Sequence, residues 1–95
     1  MDKKLKAKWV KALRSGKYMQ ERETLVGPNR AYCCLGVLSR LMNHRLPRTQ
    51  LDYPPNDVLT KGQQMNLADM NDGSGAYEGL RHDFKQIADY IEANL

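Results

Sequence analysis

The first segment of the chain is predicted to form an amphipathic helix with its C-cap at Gly16, which constrains how the rest of the chain can fold. Four apolar residues follow the i, i+4, i+7, i+8 spacing that places side chains on one helix face: Leu5, Trp9, Ala12 and Leu13. Gly16 stands where a helix commonly ends in a left-handed residue. A short helix draws most of its stability from packing its apolar face, so the later segments must supply a core for it.

The opposite face of this helix is basic. It carries five cations: Lys3, Lys4, Lys8, Lys11 and Arg14. Lys4, Lys8 and Lys11 lie on one ridge, and like charges at this spacing cost about 0.2 to 0.5 kcal/mol per pair. Two interpretations are open: a solvated face, or a surface that binds an anionic partner.

Charge is divided unevenly along the sequence. The net charge is +4, but residues 1–50 carry 12 basic and 3 acidic side chains, whereas residues 51–95 carry 3 basic and 8 acidic ones. The two halves either attract each other in the folded protein or leave a basic surface for an anionic partner.

The segment after the first helix predicts a short β-hairpin. Residues 17–26 lose the helical spacing, and Gly27-Pro28-Asn29-Arg30 is a turn sequence. Residues 31–34 are then predicted to form the second strand and to run back alongside the first. Because an isolated hairpin is marginally stable, we expect it to pack on the first helix.

The remaining elements are predicted to be helices. Residues 35–43 are nearly continuously apolar, and Gly36 within them indicates that another group packs close to the backbone. A short helix is expected over 65–70. Asp83 and Gln86 form a capping box that opens a last helix. Residues 44–63 show no regular pattern.

These patterns predict an α+β fold: a small single domain over residues 1–95, with an N-terminal amphipathic helix, a short β-hairpin, and three or four further helices. A chain of 95 residues excludes a large catalytic scaffold. It has no apolar run of the roughly 20 residues needed to span a bilayer, and no secretory signal pattern. We therefore expect a cytoplasmic protein without membrane association.

The residues with potential chemistry do not form a recognisable motif. Cys33 and Cys34 are adjacent, which disfavours both a disulfide between them and joint binding of one metal ion. A catalytic cysteine would need His44 or His82 brought beside it by the fold, and the sequence does not require this. We expect reduced thiols, no metal or other cofactor, no catalytic residues and no enzymatic activity.

The candidate site is a basic and aromatic surface for an anionic ligand or partner. Its predicted members are Lys4, Lys8, Lys11, Arg14, Tyr18, Arg22, Arg30 and Tyr32. Tyrosine rings suit both nucleotide stacking and protein interfaces, although each ring also suits core packing. Nucleic-acid binding through phosphate contacts is the alternative, without sequence-specific recognition.

Three segments carry a family resemblance. The stretch from Trp9 to Gln20 has the pattern WxxALRSGxYxQ, and Tyr32 to Leu38 reads YCCLGVL. Leu67 to Gly73, together with Phe84 to Leu95, is similar to an LNDxG…F..IA..IE..L ending. With these motifs the chain resembles small uncharacterised proteins of bacteriophage and prophage genomes.

The resemblance implies a role in the host cell during infection. Small phage proteins without catalytic motifs often bind host factors. The expectation is a non-catalytic binding protein in counter-defence or host takeover, which inhibits a host immune protein or sequesters an anionic nucleotide. Self-association stays open, because a small core is often completed by oligomerisation.

Overall fold

The computed structural model describes all 95 residues. It contains four α-helices and one two-stranded sheet, in the order α1 (Lys3–Arg14), β1 (Met19–Gln20), β2 (Ala31–Tyr32), α2 (Cys34–Met42), α3 (Lys61–Asp72) and α4 (Phe84–Asn94). Three short 3-10 turns lie at Pro28–Arg30, Arg48–Gln50 and Gly75–Tyr77. The α+β class is confirmed, with three α-helices after the strands.

The apolar face of α1 forms one side of the core. Trp9, Val10 and Leu13 are buried there, in a cluster of 17 residues to which every helix contributes. The Trp9 indole donates a hydrogen bond of 2.9 Å to the carbonyl of Cys34 at the start of α2. The most extensive packing of α1 is against α4. These contacts leave the basic side of α1 facing outward.

The helix α2 follows β2 almost directly, as predicted. The Cys33 sulfur caps it by accepting from the backbone N–H of Gly36 at 3.4 Å. A Cβ at Gly36 would overlap the carbonyl oxygen of Leu25. The prediction that another group packs against the backbone at Gly36 is therefore confirmed.

The predicted β-hairpin is wrong in one respect. The strands of a hairpin run antiparallel, whereas β1 and β2 run parallel. Met19 pairs with Ala31 and Gln20 with Tyr32. The turn at residues 27–30 does return the chain, since Val26 forms an antiparallel bridge with Tyr32. A second reversal occurs at residue 23 and brings β1 to the other side of β2.

That second reversal depends on a distant residue. Glu23 has a left-handed backbone, with φ of 66°, and its N–H donates to the Asp72 carboxylate at 2.8 Å. A non-glycine residue adopts this conformation only when its surroundings support it. The contact spans 49 positions in sequence, so nothing local predicts it.

The helix α3 is longer than the expected span of 65–70. Thr60 and Gln63 form a capping box at its beginning, and Gly73 ends it in a left-handed conformation. The helix that begins after Asp83 is confirmed, with the predicted capping box to Gln86.

The segment between α2 and α3 is fixed mainly by side chains that satisfy backbone carbonyls. The Arg40 guanidinium donates to the carbonyls of Asn43, His44 and Leu46. The Ser39 hydroxyl donates to the carbonyl of Asp52 at 2.6 Å. Apart from the 3-10 turn at Arg48–Gln50, this segment therefore has defined positions without regular secondary structure.

Candidate functional site

Four exposed lysines of α1 form the strongest candidate surface, here called the cationic face: Lys3, Lys4, Lys8 and Lys11. None of them has a carboxylate within ion-pair distance, because the ion pairs of the chain all involve Arg14. An unpaired ammonium group on an exposed helix keeps its donors available for an anion. The predicted site residues Lys4, Lys8 and Lys11 are thus free and on one side of α1.

Arg14 differs from these lysines because α4 neutralises it. Its guanidinium lies 2.7 Å from Asp89 and 3.1 Å from Glu92. The hydrogen bond to Glu92, followed by the one to Asp89, raises the pKa of Arg14 further above its ordinary value. The same hydrogen bond lowers the pKa of the Glu92 carboxyl. Arg14 therefore connects α1 to α4 and contributes less free positive charge than the lysines.

The predicted aromatic members of the site are packing residues. Tyr32 is only 6% exposed, and Tyr18 packs edge-on against it with ring centroids 5.6 Å apart. The Arg48 guanidinium lies 5.4 Å from the centre of the Tyr32 ring. Since the Tyr32 ring is enclosed, it has no free face on which a base could stack.

The other two predicted arginines lie away from α1 in the chain, between β1 and β2. Arg30 is exposed and follows Asn29, both with positive φ, in the turn before β2. Arg22 is half-buried, and its Nε atom is enclosed without a hydrogen-bond partner. The structure therefore does not unite the eight predicted residues in one pocket.

A groove on α1 combines cations with an apolar floor. It has a volume of about 750 Å³ and is open to solvent, and its lining residues are Lys3, Lys6, Ala7, Val10, Lys11, Arg14, Ser15 and Glu92. Of the predicted site residues only Lys11 and Arg14 belong to it. The ridge of Lys4, Lys8 and Lys11 forms the neighbouring side of the same helix.

Lys6 links this groove to the end of α4. Its ammonium donates to the carbonyl of Glu92 at 3.2 Å. Carbonyls in the last turn of a helix carry partial negative charge and favour a nearby cation. Glu92 is the one carboxylate that lines the groove, and Arg14 neutralises it.

The two cysteines are poor nucleophiles. Both are buried and free, without a disulfide. Burial raises the pKa of Cys33 to about 11 and that of Cys34 well above its ordinary value. Because the thiolate is the reactive form, neither thiol is activated near neutral pH. Their contacts are structural, since Cys33 caps α2 and the Cys34 sulfur lies 3.6 Å from the carbonyl of Leu67.

A buried polar junction around Asn71 was not predicted. The Asn71 amide oxygen accepts from the Gln20 amide at 2.9 Å and from the Cys34 backbone N–H at 3.3 Å. Its amide nitrogen donates to the carbonyl of Glu21 and to the Asp72 carboxylate. Asn71 is completely buried. It therefore joins β1, α2 and α3 and has no accessible group for a ligand.

The folded chain has neither a metal-binding cluster nor a membrane-spanning helix. No group of three or more His, Cys, Asp or Glu side chains is placed to hold a metal ion. None of the helices has both the length and the apolar character that crossing a membrane requires.

Comparison with known proteins gives one similarity. The architecture is that of a small α+β protein, with its cationic residues concentrated on α1. Residues 1–46 match a family model described as a domain of unknown function, DUF8296. This region contains α1, both strands and α2. No curated protein and no solved structure matches the chain.

Proposed function

We propose that this protein is a small non-catalytic binding protein whose α1 surface holds an anionic partner. The observation that carries this proposal is the concentration of four exposed, unpaired lysines on one helix. The chain has 11 acidic side chains, yet the only ion pairs they form are with Arg14. The like charges on this face disfavour the helix, and no internal partner offsets them. An external anion would do so.

The buried thiols support a binding role over a catalytic one. Cysteine catalysis requires a thiolate or a base that removes the thiol proton. Burial instead raises the pKa of both cysteines. The groove on α1 contains no cysteine or histidine, so its cations would bind an anion without attacking it.

The resemblance to small phage and prophage proteins supports a place for this binding in an infected host cell. On this proposal the protein acts in the host cytoplasm, in counter-defence or host takeover. Its partner is a host immune protein that it inhibits or an anionic nucleotide signal that it sequesters.

Binding to nucleic acid is the second candidate, and the arrangement of the cationic face favours it. The 12 residues of α1 extend over about 18 Å, and lysines occur along most of that length. Such a row suits contacts to successive phosphates without reading bases.

A pull-down from infected-host lysate tests the proposal. The bait variant carries Lys4→Glu, Lys8→Glu and Lys11→Glu, and mass spectrometry identifies bound proteins and small molecules. A matched control places the same charge change on exposed residues outside α1, through Arg45→Glu, Lys61→Glu and Lys85→Glu. We expect the α1 variant alone to lose the partner. Equal recovery of the partner by the wild type, the α1 variant and the control variant would contradict the proposal.

The nature of the captured partner separates the candidates. A sequestered nucleotide would appear as an ultraviolet-absorbing molecule released on denaturation, and adding it back would raise the melting temperature. A nucleic acid would bind with a steep dependence on salt concentration. A host protein would form a stable complex that does not respond to nucleotides.

A further inference from the structure

The groove on α1 has the residue spacing of a helix-docking seam. Its central row is Lys3, Ala7, Val10 and Arg14, which are separated by four, three and four positions. This is the spacing of d and a positions in a heptad, here with apolar residues at the two central positions and cations at the two ends. Most apolar residues of α1 that face the core follow a neighbouring row, from Leu5 through Trp9 to Leu13. Val10 belongs to both rows, since it is also part of the core cluster, so the seam lies along the edge of the packing that forms the fold.

The residues beside this row complete the pattern. Lys6 precedes Ala7 and so occupies a g position, while Lys11 follows Val10 and occupies an e position. In paired helices these flanking positions carry the charges that select the partner. Lys4 occupies the preceding e position, so the cationic face extends the same flank. A partner with carboxylates at its own e and g positions would be complementary.

The centre of the row permits close approach. Ala7 is exposed and small, and Val10 forms the floor beside it with only 6% of its surface exposed. Helix axes pack about 8 to 10 Å apart, and small residues at the contact allow the shorter separations. The long side chains of Lys3 and Arg14 lie at the two ends of the row. The row spans about 16 Å, or three helical turns.

The groove is less suited to a nucleotide base. No aromatic side chain lines it. Tyr18 and Tyr32 pack against each other outside it. Proteins that hold nucleotides or single strands commonly stack bases on aromatic rings. A ligand that used phosphates alone would engage the lysines but would gain nothing from the apolar floor.

We propose that the groove on α1 receives an acidic amphipathic helix of a partner protein, about three turns long. Its apolar residues pack on Ala7 and Val10, and its carboxylates face Lys4 and Lys11. On the other flank Arg14 neutralises Glu92, so this carboxylate does not repel the incoming helix. This inference rests on the proposed function, because it identifies the class of anionic partner.

A designed peptide tests the inference without knowledge of the natural partner. The probe is a 21-residue peptide with leucine or alanine at a and d positions, glutamate at e and g positions, and blocked ends. Its first control is a scrambled peptide of the same composition and charge, and its second is a 20-nucleotide thymidine strand. Fluorescence anisotropy measures the affinity of each labelled probe for the protein.

We expect the patterned peptide to bind at least tenfold more tightly than the scrambled one. Ala7→Gln should weaken peptide binding at least fivefold, because a longer side chain separates the helices. Ala93→Gln is the matched control, since Ala93 is exposed on α4 and does not line the groove. Both substitutions keep the charge and suit a helix.

The outcomes that overturn the helix inference differ from those that overturn the proposed function. Equal affinity for the two peptides, or no effect of Ala7→Gln, would show that charge alone determines binding and would reject a docked helix. Tighter binding of the thymidine strand would reject it in favour of nucleic acid. In each of these cases loss of binding in the Lys4, Lys8 and Lys11 charge-reversal variant would still support an anion-binding face. Absence of peptide binding would also reject the docked helix, and the lysate pull-down would decide the proposed function independently.

Discussion

The cationic face of α1 and the polar junction around Asn71 both place polar groups on helices, but their surroundings are opposite. Asn71 is completely buried, and both its amide oxygen and its amide nitrogen have partners within the protein. The lysines of the cationic face are exposed and lack carboxylate partners. Internal partners account for Asn71 as a structural residue. Their absence on α1 leaves these lysines available to a partner outside the chain.

The largest effect is expected when the polar junction is broken. Asn71→Ala removes the side-chain acceptor of the buried Cys34 backbone N–H and one of the two acceptors of the Gln20 amide, which also donates to the carbonyl of His82. We expect a loss of about 2 to 4 kcal/mol in the free energy of unfolding, measured by urea denaturation. Asn94→Ala, at an exposed position near the end of α4, is the control and should change it by less than about 1 kcal/mol. Similar effects of the two substitutions would show that the junction is not structural.

The second largest effect on stability is expected at Gly36, where α2 contacts the backbone of Leu25. Gly36→Ala would place a methyl group against the Leu25 carbonyl, so either α2 or the segment at Leu25 must move. We expect this variant to lose about 1 to 3 kcal/mol of unfolding free energy.

Gly62→Ala is the matched control for this substitution. Gly62 is also helical, and a Cβ there meets no atom within 4 Å. Alanine should stabilise this position by about 0.5 to 1 kcal/mol. If both glycine variants changed stability in the same direction, the close contact at Gly36 would not be the cause.

A charge substitution on the cationic face should increase the free energy of unfolding, in contrast to the substitutions at Asn71 and Gly36. Lys8→Glu replaces the repulsion from Lys4 and Lys11 with attraction at i, i+4 and i, i+3 spacing. We expect a gain of about 0.5 to 1 kcal/mol in unfolding free energy at low salt. Lys8→Gln removes the repulsion without adding attraction and should give about half that gain. A loss of stability in both variants would mean that Lys8 has a structural partner.

The smallest effect is expected at the exposed link between Arg14 and α4. Arg14 lowers the pKa of Glu92 from its ordinary value of 4.5, so the folded state favours the ionised carboxyl. The resulting stability is present above pH 4.5 and is lost as the pH falls through the lower pKa of the folded state.

Melting temperatures of the wild type and Glu92→Gln at pH 7 and pH 2.5 measure this link. The wild type should melt slightly higher at pH 7, and the difference should narrow at pH 2.5. It should also shrink in high salt, because both groups are exposed. A difference independent of pH would assign the effect of Glu92→Gln to something other than its charge.

Local signals were sufficient for α1 and α4. The apolar spacing around Trp9 and the capping box at Asp83 and Gln86 depend on residues close in sequence, and the structure contains both features. The signal for the beginning of α3 was also present, since Thr60 and Gln63 have capping-box spacing. This signal has no support from apolar spacing, because the first residues of α3 are polar and show no clear apolar face.

Features that depend on distant contacts were not predictable in the same way. The parallel pairing of β1 and β2 requires the reversal at Glu23, which Asp72 stabilises from the far end of α3. The burial of Asn71 likewise depends on Gln20 and Cys34.

The candidate surface was predicted only in part. The charge of α1 was readable from the sequence, as was the ridge of Lys4, Lys8 and Lys11. The groove on the neighbouring row was not predictable, because α4 contributes Glu92 to its lining and places it beside Arg14. The prediction of Tyr32 depends on its residue type alone, whereas its ring is enclosed in the fold.

Lysine footprinting tests most directly whether the cationic face is a binding surface. The tagged protein is acetylated with a limiting reagent in buffer and in infected-host lysate, recovered by its tag, and analysed by mass spectrometry. We expect Lys3, Lys4, Lys8 and Lys11 to be protected in lysate, while Lys61 and Lys85, which are exposed outside α1, react equally in both conditions. Equal acetylation of the α1 lysines in buffer and lysate would contradict the account.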